Sequence, residues 1–229
     1  MKAILLLLSL LCCTAVPAQD SWRRVLMDMA PGCRIQMSVP VGAQAGSGKA
    51  NRGSGGVSIE HPPRTTKRPY RYPLTFTFIC YDAADDLTAQ DPVRFDHTKN
   101  KWVRDMRPYF DRFPEGLPPQ RQKIFDRAIL FHELQTVNAR GFAFTEDDLA
   151  GDESGRRRQM SYCIFHMQKA ICGESTMALL PMIRQHPGND LTPLALRILR
   201  SIEFLDDHDT GSHPDPSASG PAQAPAGAR

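Results

Sequence analysis

A Gly-Ser-Gly-Lys run in the segment VGAQAGSGKANRGSGG, residues 41–56, raises the question of phosphate binding. A Walker loop needs a glycine, four residues and then Gly-Lys-Ser/Thr, because its glycines let backbone N–H groups wrap the phosphates and its hydroxyl binds magnesium. Here Ala43 occupies the first glycine position and Ala50 the hydroxyl position. The segment therefore predicts a flexible surface loop between two strands, and we expect no nucleotide or other cofactor.

The seven histidines could serve acid–base chemistry, but their spacing matches no known signature. No two stand at His-x-x-x-His spacing, and none accompanies a Gly-x-Ser-x-Gly nucleophile motif. We expect most of them to be surface or singly hydrogen-bonded residues. A hydrolase is the alternative, with a site assembled from distant residues, and its candidates are His132, Glu133, His166 and the carboxylates from Glu146 to Asp148.

The acidic segment TEDDLAGDE, residues 145–153, is a candidate calcium loop because it contains five carboxylates. A calcium loop would alternate oxygen donors around a glycine and close with a glutamate, and this spacing does not. The arginines at 156–158 follow at once, so we predict a solvated turn whose charges neutralise one another. The tail segment 206–215 would bind a metal only adventitiously, and we predict no metal site.

One concentrated basic stretch, PPRTTKRPYRYP at residues 62–73, has the composition of a contact surface. Arginine and tyrosine are frequent anchors at protein interfaces, and the positive charges suit an acidic partner. The other interpretation is an exposed, proline-stiffened loop. The candidate partner-binding residues are Arg64, Lys67, Arg68, Tyr70, Arg71 and Tyr72.

The first 20 residues, MKAILLLLSLLCCTAVPAQD, have the layout of a secretory signal peptide cut after Ala18. The apolar run is shorter than the roughly 20 residues of a membrane-spanning helix. A lipoprotein is the alternative because Cys12 and Cys13 lie near the end of the run, although Leu11 is not the small residue that lipidation favours. We predict an exported protein, periplasmic or secreted, with no integral membrane segment after cleavage.

Signal removal leaves Cys33, Cys80, Cys163 and Cys172 in an oxidising compartment, where thiols pair. A turn at 167–168 places Cys163 opposite Cys172 at a non-hydrogen-bonded strand position, with Cα atoms about 4.5 Å apart. Cys33 and Cys80 both lie on inward strand positions and form the natural second pair. Four cysteines allow three connectivities, so the alternatives stay open, but no Cys-x-x-Cys pair indicates zinc.

The charge balance argues against nucleic-acid binding. Of the 28 basic residues only Lys2 lies in the signal, which leaves 27 against 25 acidic residues, a net charge of +2. Nucleic-acid binding calls for a concentrated positive surface. From His208 onward the chain has no large apolar residue, so we predict a single domain at 19–206 followed by a disordered tail at 207–229.

Alternating apolar residues predict strands in CRIQMSVP, residues 33–40, and in LTFTFICY, residues 74–81. Residues 21–30 show no clear pattern. The remaining predicted elements are an extended segment at 57–61, a long connection at 82–119 with a short helix at 101–106 ended by Pro108, a helix at 120–130, extended segments at 134–145, 158–167 and 170–174, a helix from Thr192, and a strand at 201–204. These elements predict an α+β domain with a largely antiparallel sheet, helices packed on it, and disulfide stabilisation.

The closing helix and strand, LALRILRSIEF, resemble the C-terminal end of PsbP-like domains, and CRIQMSVP is similar to the first strand of that fold. The resemblance implies a small exported or peripheral α/β/α sandwich that acts as an accessory or binding module. The insert at 82–119 and the four cysteines depart from the family pattern. No functional residue carries over from it.

These observations favour a non-catalytic, exported protein that binds another protein or an envelope component. One concrete form is an immunity-type protein, which neutralises a delivered toxin by covering its active site. The alternatives are a periplasmic hydrolase whose site is not visible as a motif, and an accessory subunit of a secretion or envelope machine.

Overall fold

The computed structural model describes residues 21–47, 53–60, 62, 73–113 and 115–205 of the chain. The predicted signal peptide at 1–18, the candidate contact residues between 64 and 72, and the predicted tail at 207–229 lie outside the described residues. None of the helices in the described ranges is long and apolar enough to cross a membrane.

The described residues form twelve strands and four α-helices. The strands are β1 Trp22–Asp28, β2 Arg34–Pro40, β3 Gln44–Ser47, β4 Ser54–Ile59, β5 Leu74–Asp82, β6 Val93–Asp96, β7 Lys101–Arg104, β8 Ile129–Gln135, β9 Arg140–Asp147, β10 Arg157–His166, β11 Lys169–Leu179 and β12 Glu203–Phe204. The helices are α1 Arg107–Asp111, α2 Pro119–Ala128, α3 Leu180–Gln185 and α4 Thr192–Arg200.

The strands make three antiparallel sheets. Seven strands form the central sheet in the order β3-β4-β5-β11-β10-β9-β8, three form a smaller sheet in the order β1-β2-β12, and β6 and β7 form a hairpin. Every strand pair in the described ranges is antiparallel. The predicted α+β class with an antiparallel sheet is therefore confirmed.

The main core lies between the three-stranded sheet with α4 and one face of the central sheet, which we call the inner face. Strand β2 buries Ile35, Met37 and Val39, and β5 buries Phe76 and Phe78, as their alternation predicts. Burying a side chain of this size stabilises the fold by about 1.5–3 kcal/mol. Sequence alternation alone is thus enough to place these two strands.

The described residues cover the opposite face of the central sheet, the outer face, on only part of its width. A second core joins the β6–β7 hairpin, α1 and α2 to strands β8, β9 and β10. Within it Trp102 stacks on Phe165, with ring centroids 4.9 Å apart, and Tyr109 is fully buried. On β5, by contrast, the outward residues Thr75 and Thr77 are exposed.

Both predicted disulfides are present. Cys33 pairs with Cys80, with Cα atoms 6.0 Å apart, and joins the start of β2 to β5. Cys163 pairs with Cys172, with Cα atoms 4.1 Å apart, across directly opposed positions of β10 and β11. The two crosslinks are consistent with an exported protein, because disulfides persist in oxidising compartments.

Residues 21–30, whose sequence shows no clear pattern, contain β1. Two expectations for the first half of the chain are wrong. The segment 41–56, expected as a loop, contains β3 and the start of β4, which pair with each other as a hairpin. The expected helix at 101–106 is β7, and Pro108 lies in the first turn of α1, where its missing N–H needs no partner, instead of ending a helix.

Later elements differ mainly in their boundaries. The helix predicted at 120–130 ends at Ala128, and Ile129 begins β8. On this helix the apolar residue Ile124 is 52% exposed. The extended segment at 134–145 is the end of β8 and most of β9, and α4 begins at Thr192 as predicted.

Candidate binding groove on the outer face

The outer face carries a groove along the seam between β5 and β11. These strands pair only where 79–82 opposes 169–172. Just beyond that ladder the Tyr162 hydroxyl donates to the carbonyl of Thr77 at 2.7 Å, and the Thr77 hydroxyl donates to the carbonyl of Glu174 at 3.2 Å. The described parts of the two strands form no further ladder, and the space between them is the outer-face groove.

The seam is held closed at one point by Gly173. A Cβ atom at this position would lie 1.7 Å from the carbonyl oxygen of Thr77 and 2.8 Å from the hydroxyl of Tyr162. Only glycine lets the backbones of β5 and β11 approach so closely. Gly173 therefore fixes where the groove begins.

Replacing Gly173 by alanine is expected to lower the free energy of unfolding by about 1–3 kcal/mol, because the added methyl group forces the two strands apart. Urea unfolding followed by circular dichroism measures the change. Gly46→Ala on β3 is the matched control, since a Cβ there meets nothing within 4 Å. Equal effects of the two substitutions would show that the seam is looser than the structure has it.

The deep part of the groove, which we call the deep cavity, has a volume of about 560 Å³. The Cys163–Cys172 disulfide lies in its floor, and Ile79, Tyr81 and Leu87 add apolar and aromatic surface. Two carboxylates, Asp91 and Glu174, also line it, together with Ser54, Thr77 and Ser161. The deep cavity thus combines an apolar wall with concentrated negative charge.

Within the described ranges, the two carboxylates of the deep cavity have no close charged partner. Among the described residues, neither Asp91 nor Glu174 forms an ion pair or a hydrogen bond through its carboxylate. Burial raises the pKa of Asp91 to about 6, the charge of Arg112 opposes that rise, and Glu174 adds to it. The guanidinium of Arg112 lies over the ring of Tyr109, 3.6 Å from its centroid. Its attraction is weaker than the effect of burial, so the ionised form of Asp91 remains destabilised.

The groove continues as a shallow cavity of about 350 Å³ between the first residues of β5 and the last of β11. Glu174 lines both cavities, so they meet at this residue. The lining of the shallow cavity includes polar groups, namely the Thr176 hydroxyl, which donates to Gln159 Oε1 at 3.0 Å, and Thr75 on β5, beside the apolar residues Pro73 and Leu179. The whole groove is therefore an open surface that combines apolar contacts with polar groups, and its two carboxylates line the deep cavity.

Most of the predicted hydrolytic residues have structural partners elsewhere. Glu146 accepts a hydrogen bond from the hydroxyl of Tyr109, which belongs to the second core. Asp147 pairs with Arg158 at 2.6 Å, and Asp148 accepts from the backbone N–H of residue 157 at 2.9 Å. Glu133 is exposed on β8.

The two candidate histidines do not meet. His132 lies on β8 opposite Ala143, where burial and the charges of Arg200 and Arg158 lower its pKa, although Asp190 acts in the other direction. His166 lies at the far end of β10, stacked on Phe204 with ring centroids 4.9 Å apart. No group of three metal-ligating side chains forms within the described ranges.

The sequence reasoning missed both carboxylates of the deep cavity. Glu174 is an outward residue of a predicted extended segment and lies two positions after Cys172, which is a weak signal for a place beside the disulfide. Nothing in the sequence marks Asp91. The predicted contact segment between 64 and 72 lies outside the described residues, and Pro73, directly after it, lines the shallow cavity.

Comparison with known proteins does not assign this chain to a family. No protein-family model, curated protein or solved structure matches it.

Proposed function

We propose that this chain is an exported protein, periplasmic or secreted, that binds another protein or an envelope component without catalysing a reaction on it. The observation that supports the proposal best is the outer-face groove, where two connected cavities lie on the exposed part of the central sheet. The resemblance of the closing helix and strand to PsbP-like domains is a second, independent argument, because it also implies an accessory or binding module. An immunity-type protein that covers the active site of a delivered toxin is the form we favour.

The groove has the composition of a contact surface. Recognition surfaces combine a buried apolar or aromatic centre with a polar rim. Here Ile79, Tyr81 and Leu87 line the deep end, while Thr75 and Gln159 line the shallow end. A partner that fills the deep end and pairs with these polar side chains would bury both kinds of surface.

The groove is also preorganised. The Cys163–Cys172 crosslink holds β10 to β11 in its floor, and Cys33–Cys80 holds β5, its opposite wall, to the three-stranded sheet. A binding surface that is rigid before contact loses less conformational entropy on association. The disulfides therefore support affinity as well as stability.

A charge reversal in the groove tests the proposal. The full chain is used as bait in envelope extract, and a captured protein is then purified and its Kd measured against variants. We expect a stoichiometric partner whose affinity falls at least tenfold with Glu174→Lys, because this residue lines both cavities. Asp28→Lys, the same reversal on the exposed side of β1, is the matched control and should leave the Kd unchanged.

Two results would contradict the proposal. Either no stoichiometric partner is recovered, or the purified partner binds wild type and Glu174→Lys equally while both variants give wild-type circular dichroism. In the second case the chain binds its partner through a different surface.

A further inference from the structure

We infer that the deep cavity receives the cationic end of an arginine or lysine side chain of a protein partner. This inference rests on the proposed function and names the chemistry that its contact surface recognises. Three features of the cavity carry it, namely its shape, its two carboxylates and its rigid frame.

The shape suits an alkyl stem that ends in a positive charge. Ile79, which is 42% exposed, and Leu87 provide an apolar wall, and Tyr81 adds an aromatic surface. Arginine and lysine pack their methylene groups along such surfaces while the charged end seeks polar partners. The two carboxylates, Asp91 and Glu174, are the polar groups that line the same cavity.

The charge selects a cation over an anion or a neutral group. Glu174 raises the energy of the ionised form of Asp91, and within the described part of the chain Arg112 is the cation that acts on Asp91. The guanidinium of Arg112 lies over the face of Tyr109 and forms no ion pair with Asp91. Its charge lowers the pKa of Asp91, but burial raises that pKa by more. A guanidinium or ammonium group placed between the carboxylates would form charge-assisted hydrogen bonds in a partly desolvated site.

The frame holds the two carboxylates in place before binding. Glu174 follows the Cys163–Cys172 crosslink by two residues on the same strand, and its carbonyl accepts the hydrogen bond from Thr77. Asp91 is fixed by a turn in which its backbone N–H donates to the carbonyl of Thr88 at 3.0 Å. The recess is therefore formed without a partner, so small cationic probes should enter it.

Nuclear magnetic resonance titration of the full chain with butylguanidinium and butylammonium tests the inference directly. We expect saturable shifts of the Ile79 and Leu87 methyl signals, and at least tenfold weaker binding of butylurea, which matches the shape without the charge. Asp91→Asn should weaken butylguanidinium binding at least tenfold. Asp28→Asn, on the three-stranded sheet, should leave it unchanged.

The pH dependence gives a second readout. The charged groups that act on Asp91 are Arg112 and Glu174. Protonation of Asp91 removes one of the two negative charges of the deep cavity. We expect butylguanidinium binding to weaken as the pH falls through about 6. In Asp91→Asn this step should disappear.

The outcomes separate the inference from the proposed function. Shifts that do not saturate, or equal binding by wild type and Asp91→Asn, overturn the inference. If the captured partner binds Asp91→Asn as tightly as wild type but loses Glu174→Lys, the inference fails while the proposed function stands. If butylguanidinium binds as expected and no partner is recovered, the cation site stands while the proposed function fails.

Discussion

Replacing both Cys33 and Cys80 by alanine should lower the free energy of unfolding by about 4 kcal/mol. The two residues are 47 positions apart, so their crosslink removes many conformations from the unfolded chain. It also joins the two sheets that enclose the main core, because Cys33 precedes β2 and Cys80 lies on β5. Chemical denaturation of the mature protein, followed by tryptophan fluorescence and circular dichroism, measures the loss.

The second disulfide is the matched control for this prediction. Cys163 and Cys172 are only 9 positions apart, and the same entropy relation gives about 2.6 kcal/mol for the double alanine variant. The difference between the two variants should follow loop length. A larger loss from the short crosslink would mean that native-state contacts, rather than constraint of the unfolded chain, dominate the stabilisation.

The sequence was most informative where a strand has one buried and one open face. In β2 and β5 each second residue is apolar, and that alternation alone placed Phe76, Phe78 and both members of the Cys33–Cys80 pair at the main core. For β10 and β11 the prediction came from the position of the turn at 167–168, which places Cys163 opposite Cys172, and the structure has that register. Period-2 patterns carry over directly into three dimensions because strand geometry is local.

Elements without such a pattern were missed or misassigned. In β1 Leu26 is 52% exposed between the buried residues Val25 and Met27, so apolar residues on both faces conceal the alternation. Strand β3 is exposed along its whole length and is rich in small residues, so it owes its pairing to its neighbour β4. Strand β7 pairs with β6 through a turn at which Asn100 has a φ of 49°. In each case the deciding contact lies outside the segment.

The candidate site could not be predicted for a similar reason. Asp91 and Glu174 are 83 positions apart (174 − 91), and their meeting depends on the loop after β5 returning over the outer face beside β11. The gap between β5 and β11 depends on where their pairing stops, which no local propensity specifies. Residue types alone pointed instead to the basic stretch at 62–73 and, for the hydrolase alternative, to histidines and clustered carboxylates that the fold does not bring together.

Asp91→Asn should raise the free energy of unfolding by about 2–3 kcal/mol at pH 8. The folded-state pKa of Asp91, about 6, lies above its ordinary value of 3.8 because burial disfavours the charge. Between these two values the folded protein binds more protons than the unfolded chain, so the ionised Asp91 destabilises the fold above about pH 6. The amide of asparagine has a similar shape and avoids that penalty.

The gain should vary with pH in a defined direction. As the pH falls through 6, wild-type Asp91 takes up its proton and the advantage of Asp91→Asn shrinks, reaching almost zero below the ordinary pKa of 3.8. Urea unfolding at several pH values between 4 and 8 measures the difference. Asp28→Asn is the control and should stay within about 0.5 kcal/mol of wild type throughout. A destabilising Asp91→Asn at pH 8 would show that this carboxylate supports the fold.

A carboxylate that destabilises the free protein has a straightforward use if a partner supplies the missing charge. Function commonly places polar groups where stability alone would not. The same Asp91→Asn substitution should therefore raise the free energy of unfolding while it weakens binding of butylguanidinium. Because a purely structural role would move both quantities in the same direction, their opposite signs distinguish a binding residue from a defect in packing.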